Sequence, residues 1–280
     1  TATGAVKVTD LMPLGDGRAD LVRVVEGLEG EVEMEHEWVV RLGYGRIRPW
    51  VAHSPGHELD SEVITAIAGN DMLVLRGSRL PRPEGDHHRD RWTVRAGEHY
   101  NFSTTWFASY KAIPPPLDIS SRIQATHERS SQWASRCTYE GPYRAEVIRS
   151  LLTLRLLTDT RRGGIVAAAT TSLPEDFGGV RNWDYRYVWL RDTALTLEAL
   201  MAHNHTEDAK AWRDWLLRAI AGDPQDVQIM YTLSGGRRMP ERDLEHLPGY
   251  EGSRPVHVGN GAADQWQADV IGTVMLALGK

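Results

Sequence analysis

The hydrophobic period of this sequence changes once, at the proline-rich segment of residues 113–117. Before this segment, apolar and polar residues alternate with the period of two that a half-buried strand requires. After it, apolar residues recur every three or four positions, as they do on one face of a helix. Because proline continues neither a helix nor a central strand, the segment marks a boundary. We therefore predict an N-terminal antiparallel β domain followed by a helical domain.

The clearest strand prediction covers residues 31–38, where glutamate occupies every second position and Val, Met, His and Trp fill the others. Such a row of carboxylates suits a metal or acid site or a solvated sheet face, and the strict alternation favours the solvated face. Five further segments have strand-like patterns: residues 5–12, 21–26, 72–76, 91–95 and 100–109. Short strands separated by Gly-, Pro- and Asp-rich turns indicate a β-sandwich.

The polar cluster of residues 86–90 contains two histidines and two aspartates. These side chains suit a metal ion, but the cluster lacks a spaced set of partner ligands. We therefore interpret it as a polar hairpin loop.

Four segments after the prolines are predicted to be helical: the mostly apolar run of residues 194–201, and residues 143–159, 207–221 and 263–277, which have the helical period. In the last of them, Trp266, Val270 and Val274 are predicted to lie on one buried stripe. The connection of residues 222–261 is far longer than two packed helices need, and long loops usually carry function.

The bulk composition excludes several classes of protein. A net charge of −6 at pH 7 leaves no basic footprint for nucleic acid. No run approaches the roughly 18 apolar residues of a membrane helix, and the N-terminus shows no leader pattern. The single cysteine, Cys137, excludes an internal disulfide and fits the reducing cytoplasm, where we expect the protein. A lone cysteine can also be a nucleophile, but no base motif accompanies it, so we expect a part-buried structural residue.

Residues 173–192 concentrate the side chains that bind sugars. Proline and glycine at the start of the segment oppose a helix, and a dense polar and aromatic set follows: Trp183, Asp184, Tyr185, Arg186, Tyr187, Trp189, Arg191 and Asp192. Aromatic faces stack on the C–H faces of pyranose rings, and charged side chains form strong hydrogen bonds to hydroxyl groups. Two other interpretations stay open: the cluster can be simple packing, and Asp192 can cap the following helix.

Residues 178–192 read Gly-Gly-Val-Arg-Asn-Trp-Asp-Tyr-Arg-Tyr-Val-Trp-Leu-Arg-Asp. They match, at every position, a signature of the bacterial members of glycoside hydrolase family 15. The similarity continues over residues 244–256 and 259–260, and weakly upstream at residues 24–27. On these residues the chain resembles that family, which contains glucoamylases and bacterial and archaeal trehalases.

The resemblance implies an N-terminal β-sandwich, a linker with helices and an (α/α)6 barrel of paired helices. We therefore expect a β-sandwich domain over residues 1–112 that is incomplete at its N-terminus. It is followed by a linker over residues 113–142 and by the first part of the (α/α)6 catalytic barrel over residues 143–280. The chain begins without Met in strand-like sequence and ends within a helical pattern, so we expect further sequence at both ends.

The resemblance also implies roles for individual residues. In the family, the residues matching Arg191 and Asp192 hold the hydroxyl groups of the glucose at the cleaved position. Those matching Tyr185 and Trp189 line the same pocket. The other expected substrate-binding residues are Trp183 and Asp184, from the signature, and Tyr250 and Arg254, from a loop that approaches the neighbouring sugar.

Inverting glycosidases use two carboxyl groups, one to protonate the leaving oxygen and one to activate water on the opposite face of the sugar. The resemblance implies that both are glutamates in the second half of the barrel, so we assign no catalytic residue and expect the pair outside this segment. Glu241 and Glu245 lie four residues apart, which suits a pair, but the family has its pair elsewhere. The hydrolysis needs no organic cofactor and no metal-ligand spacing is visible; dependence on a regulatory ion or phosphate stays open.

The resemblance predicts an inverting α-glucoside hydrolase, with trehalose ahead of maltose or starch as the substrate. Glucoamylase-type hydrolysis of α-glucans is the alternative within this class. A non-catalytic carbohydrate-binding protein and a retaining phosphorylase-like enzyme are alternatives of other classes. We expect a sugar or oligosaccharide as the binding partner, and neither nucleic acid nor a membrane. The oligomeric state stays open, with a homo-oligomer among the options.

Overall fold

The computed structural model describes residues 1–15, 17–55 and 62–279. Asp16, residues 56–61 and Lys280, which fall within the predicted domains, lie outside the described residues. The chain divides into two compact units, Thr1–Arg129 and Ser130–Lys280. Strands make up most of the first unit and helices most of the regular structure of the second, which agrees with the change of period at the prolines.

Eight strands of the first unit form one antiparallel sheet: β1 (Gly4–Leu11), β2 (Ala19–Trp38), β3 (Trp50–Ser54), β4 (Val63–Ala68), β5 (Asp71–Gly77), β6 (Arg82–Glu84), β7 (His87–Arg95) and β8 (His99–Ala108). Their order is β3-β4-β5-β8-β2-β7-β6, and β1 also pairs with β2. The prediction of an antiparallel β domain is therefore confirmed. The sandwich is not, because all eight described strands belong to one sheet.

Strand β2 joins two segments that the sequence pattern separated, residues 21–26 and 31–38. It continues through Gly27 and Gly30 because β1 and β8 pair with its first part and β7 pairs with its second. The pattern missed β4, whose residues are mostly buried on both faces, so that no alternation marks it.

The alternating glutamates of β2 are exposed, as predicted. Three of the four face arginines of β7 across the antiparallel pair, whereas Glu33 faces Thr93. Glu37 lies 2.8 Å from Arg89, and Glu31 lies 3.6 Å from Arg95. The row is therefore a solvated ladder of ion pairs rather than a metal or acid site.

The hairpin interpretation of residues 86–90 is correct only for its first residue. Gly85 and Asp86 form the turn between β6 and β7, and the remaining four residues belong to β7. Within the part of the chain that the structure describes, no three His, Cys, Asp or Glu side chains are grouped so as to hold a metal ion.

The described residues contain five α-helices: α1 (Ile119–Ala134), α2 (Arg144–Leu156), α3 (Leu190–Ala202), α4 (Thr206–Ala219) and α5 (Asp269–Leu278). Helices α2, α3 and α4 confirm three of the four helical predictions. Helix α1 lies within the segment predicted as a linker. None of the helices in the described residues is long and apolar enough to cross a membrane.

Helix α5 begins at Asp269, six residues later than predicted for the last helix. The segment Gly261–Asp264 forms a 3₁₀ turn instead, which the side chain of Asn260 caps by accepting a hydrogen bond of 3.0 Å from Ala262 N–H. Trp266, predicted on the buried stripe, is 82% exposed. Val270 and Val274 are buried as predicted.

The long connection after α4 carries short strands that position the loops of the second unit. Strand β9 (Val188–Trp189) pairs with β10 (Met230–Tyr231), and β11 (Arg242–Asp243) pairs with β12 (His257–Val258). The first pair lies in the largest apolar cluster of the unit, against buried residues of α3, α4 and α5. The cluster therefore anchors β9, which comes directly before α3.

Cys137 is buried against Trp133 and Leu151 in a smaller apolar cluster. Cys137 is thus more deeply buried than the part-buried position predicted, which supports its interpretation as a structural residue.

Candidate functional site

A cavity of about 290 Å³ lies in the second unit beside the signature segment. Three aromatic residues of that segment line it: Trp183, Tyr185 and Trp189. Residues from the connection after α4 complete the wall, namely Glu241, Asn260, Gly261, Ala262 and Gln265. The volume is near the lower end of the roughly 300–1,000 Å³ typical of small-molecule sites. The cavity therefore suits a ligand of about one small ring.

The aromatic wall is held by the core of the unit. Trp189 pairs with Met230 across β9 and β10, and the N–H of Leu190 donates a 3.0 Å hydrogen bond to the carbonyl of Ile229. The Trp189 side chain is buried, and its ring centroid lies 6.3 Å from that of Tyr185 at an interplanar angle of 53°. The two rings therefore present a tilted, pre-formed surface.

Two polar groups accompany this apolar surface. Burial raises the pKa of the Tyr185 phenol, and the negative charges of Glu175 and Asp192 raise it further. The hydroxyl therefore stays protonated near neutral pH and keeps a hydrogen to donate. The indole Nε1 of Trp189 is buried without a hydrogen-bond partner in the described part of the chain.

Asp184 does not line the cavity, but its hydrogen bonds connect the signature segment to the loop that forms the opposite wall. Its buried carboxylate accepts hydrogen bonds of 2.9 and 2.8 Å from the Arg186 guanidinium and one of 3.1 Å from the backbone N–H of Gly259. Its carbonyl accepts a 3.0 Å hydrogen bond from the side chain of Asn260. Burial raises the pKa of Asp184, but the hydrogen bonds and the charge of Arg186 outweigh it and hold the pKa below its usual value.

Gly259 is required at its position because two chain segments approach closely there. Its φ is +87°, and an added Cβ would lie 2.0 Å from the carbonyl oxygen of Pro240. This close approach places Glu241, the residue after Pro240, beside the loop that follows Gly259. The carboxylate of Glu241 then accepts a 3.0 Å hydrogen bond from the N–H of Gly261.

Arg191 and Asp192 lie in the first turn of α3, adjacent to the aromatic wall but outside the lining of the cavity. The Arg191 side chain is 46% exposed and donates a 3.2 Å hydrogen bond to the Gln267 side chain. Gln267 in turn donates a 3.3 Å hydrogen bond to Gln265, which lines the cavity. A chain of polar contacts therefore links Arg191 to the wall.

The capping interpretation of Asp192 is wrong. Trp189 occupies the N-cap position of α3, and its side chain makes no capping hydrogen bond. The carboxylate of Asp192 is half exposed and lies 3.5 Å from the Arg191 guanidinium. Because Asp192 lies in the first turn of α3, its negative charge still interacts favourably with the helix dipole.

Tyr250 and Arg254 do not line the cavity. Both are exposed in the loop before β12, and the Tyr250 ring lies 5.8 Å from that of Phe177. Glu245 is likewise exposed and outside the lining, so the structure brings Glu241 to the cavity without Glu245.

The sequence pattern gave no site role to Asn260 or Gln265, and it weighed Glu241 only as half of a carboxylate pair. Residues 259–260 belonged to the recognised similarity, so a signal existed for Asn260. Nothing in the sequence pattern pointed to Gln265. This residue lies at the cavity because a 3₁₀ turn over Gly261–Asp264 stands where the start of α5 was predicted.

The sequence profile of the family described as Glycosyl hydrolases family 15 matches residues 141–280. That is 140 of the 280 residues, half of the chain. The matched range contains every residue of the cavity wall.

Curated relatives match a longer part of the chain. A protein named Trehalase 1 from Sulfolobus acidocaldarius is 40% identical over 293 residues, covering 100% of this chain and 47% of the relative. A trehalase from Thermoplasma volcanium is 31% identical, covering 98% of this chain and 43% of the relative. A trehalase from Mycobacterium tuberculosis is 35% identical, covering 93% and 39%. The chain thus spans less than half the length of each of these relatives.

Proposed function

The chain belongs to glycosyl hydrolase family 15, and on this premise we propose that it is part of an inverting hydrolase whose substrate is trehalose. The observation that carries the proposal is the cavity formed by Trp183, Tyr185 and Trp189 on one side and polar loop residues on the other. The names of the curated relatives support trehalose as the substrate.

In the proposed complex, a glucose ring occupies the cavity with one C–H face against the tilted pair of Tyr185 and Trp189, and Trp183 provides a further stacking surface for the sugar. The Tyr185 hydroxyl donates a hydrogen bond, and the Asn260 and Gln265 amides offer both donors and acceptors to the ring hydroxyls. Arg191 and Asp192 approach the sugar from the first turn of α3. Tyr250 and Arg254, which lie outside the cavity, are proposed to meet the second sugar.

The proposed reaction inverts the configuration at one anomeric carbon. A carboxylate takes a proton from water, the water oxygen bonds to that carbon, and the glycosidic oxygen leaves with a proton from a carboxylic acid. Two carboxyl groups about 6.5–9.5 Å apart are needed. Among the described residues that line the cavity, Glu241 supplies one carboxylate. In line with the family resemblance, we propose that the acid and the base are two other glutamates in the second half of the barrel.

The architecture proposed with this function is a β-sandwich over residues 1–112, a linker over 113–142 and the first part of an (α/α)6 barrel over 143–280. We also propose a cytoplasmic location, with a homo-oligomer as one option for the state in solution. The unpaired, buried Cys137 supports the cytoplasm as the location. Light scattering of the purified protein tests the oligomer.

The substrate proposal is tested by incubating the purified full-length enzyme, which includes the second half of the barrel, with trehalose, maltose and soluble starch, and following the products by NMR before mutarotation. The 280-residue chain alone is expected to be inactive. Trehalose is expected to give equal initial amounts of α- and β-glucose, since inversion occurs at one of its two α-linked rings. We expect a kcat/KM at least about tenfold higher for trehalose than for maltose, on the order of 1.4 kcal/mol. Faster release of β-glucose from maltose or starch would favour a glucoamylase, and α-glucose alone would contradict inversion. Formation of glucose phosphate in phosphate buffer would indicate a phosphorylase.

Glu241→Gln separates a role in the wall from a role in catalysis. The amide oxygen of glutamine still accepts the hydrogen bond from Gly261 N–H, so we expect a loss in kcat/KM of less than about tenfold. Loss of a general acid or base costs about 10²- to 10⁴-fold. Steady-state kinetics on trehalose measures the difference. A loss above 10²-fold would make Glu241 one of the two catalytic carboxyl groups.

A further inference from the structure

Trp183 has an aromatic neighbour outside the cavity lining. Its ring lies parallel to the imidazole of His257, with the centroids 5.5 Å apart and an interplanar angle of 10°. Trp183 lines the cavity, whereas His257 does not. The stacked imidazole therefore contacts a residue of the wall without itself belonging to the wall.

His257 is itself held at several points. Its N–H donates a 2.7 Å hydrogen bond to the Ser172 hydroxyl, and its carbonyl accepts hydrogen bonds from the hydroxyls of Ser172 and Thr171 at 3.0 and 2.6 Å. It pairs with Asp243 across β11 and β12, and its Nδ1 lies 2.9 Å from the Asp243 carboxylate. The residue is buried. The backbone of His257 is thus fixed before any ligand arrives, and its buried ring lies between the Asp243 carboxylate and the ring of Trp183.

We propose that His257 is a positioning residue that fixes the plane of Trp183 for stacking on the sugar. This inference rests on the proposed function, because it assigns Trp183 a sugar-binding face. A planar side chain that is already held in its bound orientation loses little conformational freedom on binding, which favours affinity. A sugar that stacks on Trp183 in both the ground state and the transition state gains uniform binding, which lowers KM and leaves kcat unchanged.

The position of His257 also limits what else it can do. An acid or base must come within hydrogen-bond reach of the reacting atoms. His257 is outside the lining, and its nearest charged contact is Asp243 rather than a cavity group. It therefore acts through Trp183 and is not a catalytic residue.

The test compares His257→Phe with His257→Leu in the purified full-length enzyme. Phenylalanine keeps a flat ring under Trp183, whereas leucine fills a similar space without one. We expect KM for trehalose to rise about fivefold in His257→Leu with kcat within twofold, and to stay within twofold of the unchanged protein in His257→Phe. Equal KM values in the two variants, or a loss mainly in kcat, would overturn the proposal.

Two controls keep the outcome interpretable. His127→Leu, at an exposed position on α1, is expected to leave KM and the melting temperature unchanged. If His257→Leu does not fold, His257→Gln replaces it, with the same expected rise in KM. If the unchanged protein hydrolyses another α-glucoside instead of trehalose, the proposed substrate fails. The ratio between the two variants, measured on that sugar, still tests the role of His257.

Discussion

Replacing Asp184 with asparagine is expected to reduce the free energy of unfolding by about 2–4 kcal/mol, because breaking a buried ion pair leaves the partner charge uncompensated. The buried carboxylate accepts hydrogen bonds from the Arg186 guanidinium and from Gly259 N–H. An amide in its place presents N–H groups to one of these donors. Urea unfolding of the purified protein measures the change, and Asp176→Asn, at an exposed carboxylate of the same segment, is the matched control.

The same substitution is expected to lower kcat/KM for trehalose by about 100-fold or more, on the order of 2.7 kcal/mol. The Asp184 carboxylate connects the signature segment to Gly259, so weakening this contact lets the two walls of the cavity move apart. The hydrogen bond from Asn260 to the Asp184 backbone carbonyl is unaffected by the substitution. Activity is compared at a temperature where the variant is still folded. A variant that is destabilised but fully active would show that this connection serves folding alone.

The stabilising effect of Asp184 depends on pH in a direction that the structure fixes. Its pKa in the folded protein lies below the usual value, because burial is outweighed by the hydrogen bonds and charge of Arg186. Its contribution is therefore fully present above the unfolded pKa of about 3.9 and is lost as the pH falls through the folded pKa. The difference in unfolding free energy between the unchanged protein and Asp184→Asn should stay constant from pH 7 to about pH 5 and shrink below about pH 4.

Arg191→Lys is expected to reduce kcat/KM for trehalose tenfold or more, about 1.4 kcal/mol or greater. Lysine keeps the positive charge but loses the planar fork that can hold two acceptors at once. In the structure this fork contacts Gln267 and lies near Asp192.

Because Arg191 is half exposed, the melting temperature should change little. Arg213→Lys, at an exposed position on α4, should leave both quantities unchanged. Unchanged kinetics in Arg191→Lys would remove Arg191 from the sugar site.

Local patterns predicted the elements whose burial follows a regular period. Helix α4 buries residues at three- and four-residue spacings, so its stripe is visible in the sequence, whereas α3 was predicted from a mostly apolar run. Strand β4 is buried on both faces, and the continuity of β2 depends on partners distant in sequence. The predicted start of α5 was wrong for a different reason. Asn260 caps a 3₁₀ turn at residues where apolar spacing alone suggested a helix.

The candidate site was predictable where one contiguous segment supplies it. Trp183, Tyr185 and Trp189 follow one another within seven residues and line the cavity together. The opposite wall depends on contacts between segments about 75 residues apart in sequence, such as the hydrogen bond from Gly259 to Asp184. No local pattern encodes such contacts. For the same reason, the sequence did not show that Asp184 faces away from the cavity toward Arg186.

The two walls of the cavity differ in how freely they can evolve. Trp189 is both a wall residue and a member of the main apolar cluster, so a substitution there changes ligand contacts and folding together. Glu241 and Gln265 line the same cavity from exposed loop positions, where substitutions cost little stability. New sugar preferences should therefore arise through the loop wall, because the second role of Trp189 in the core limits substitution there.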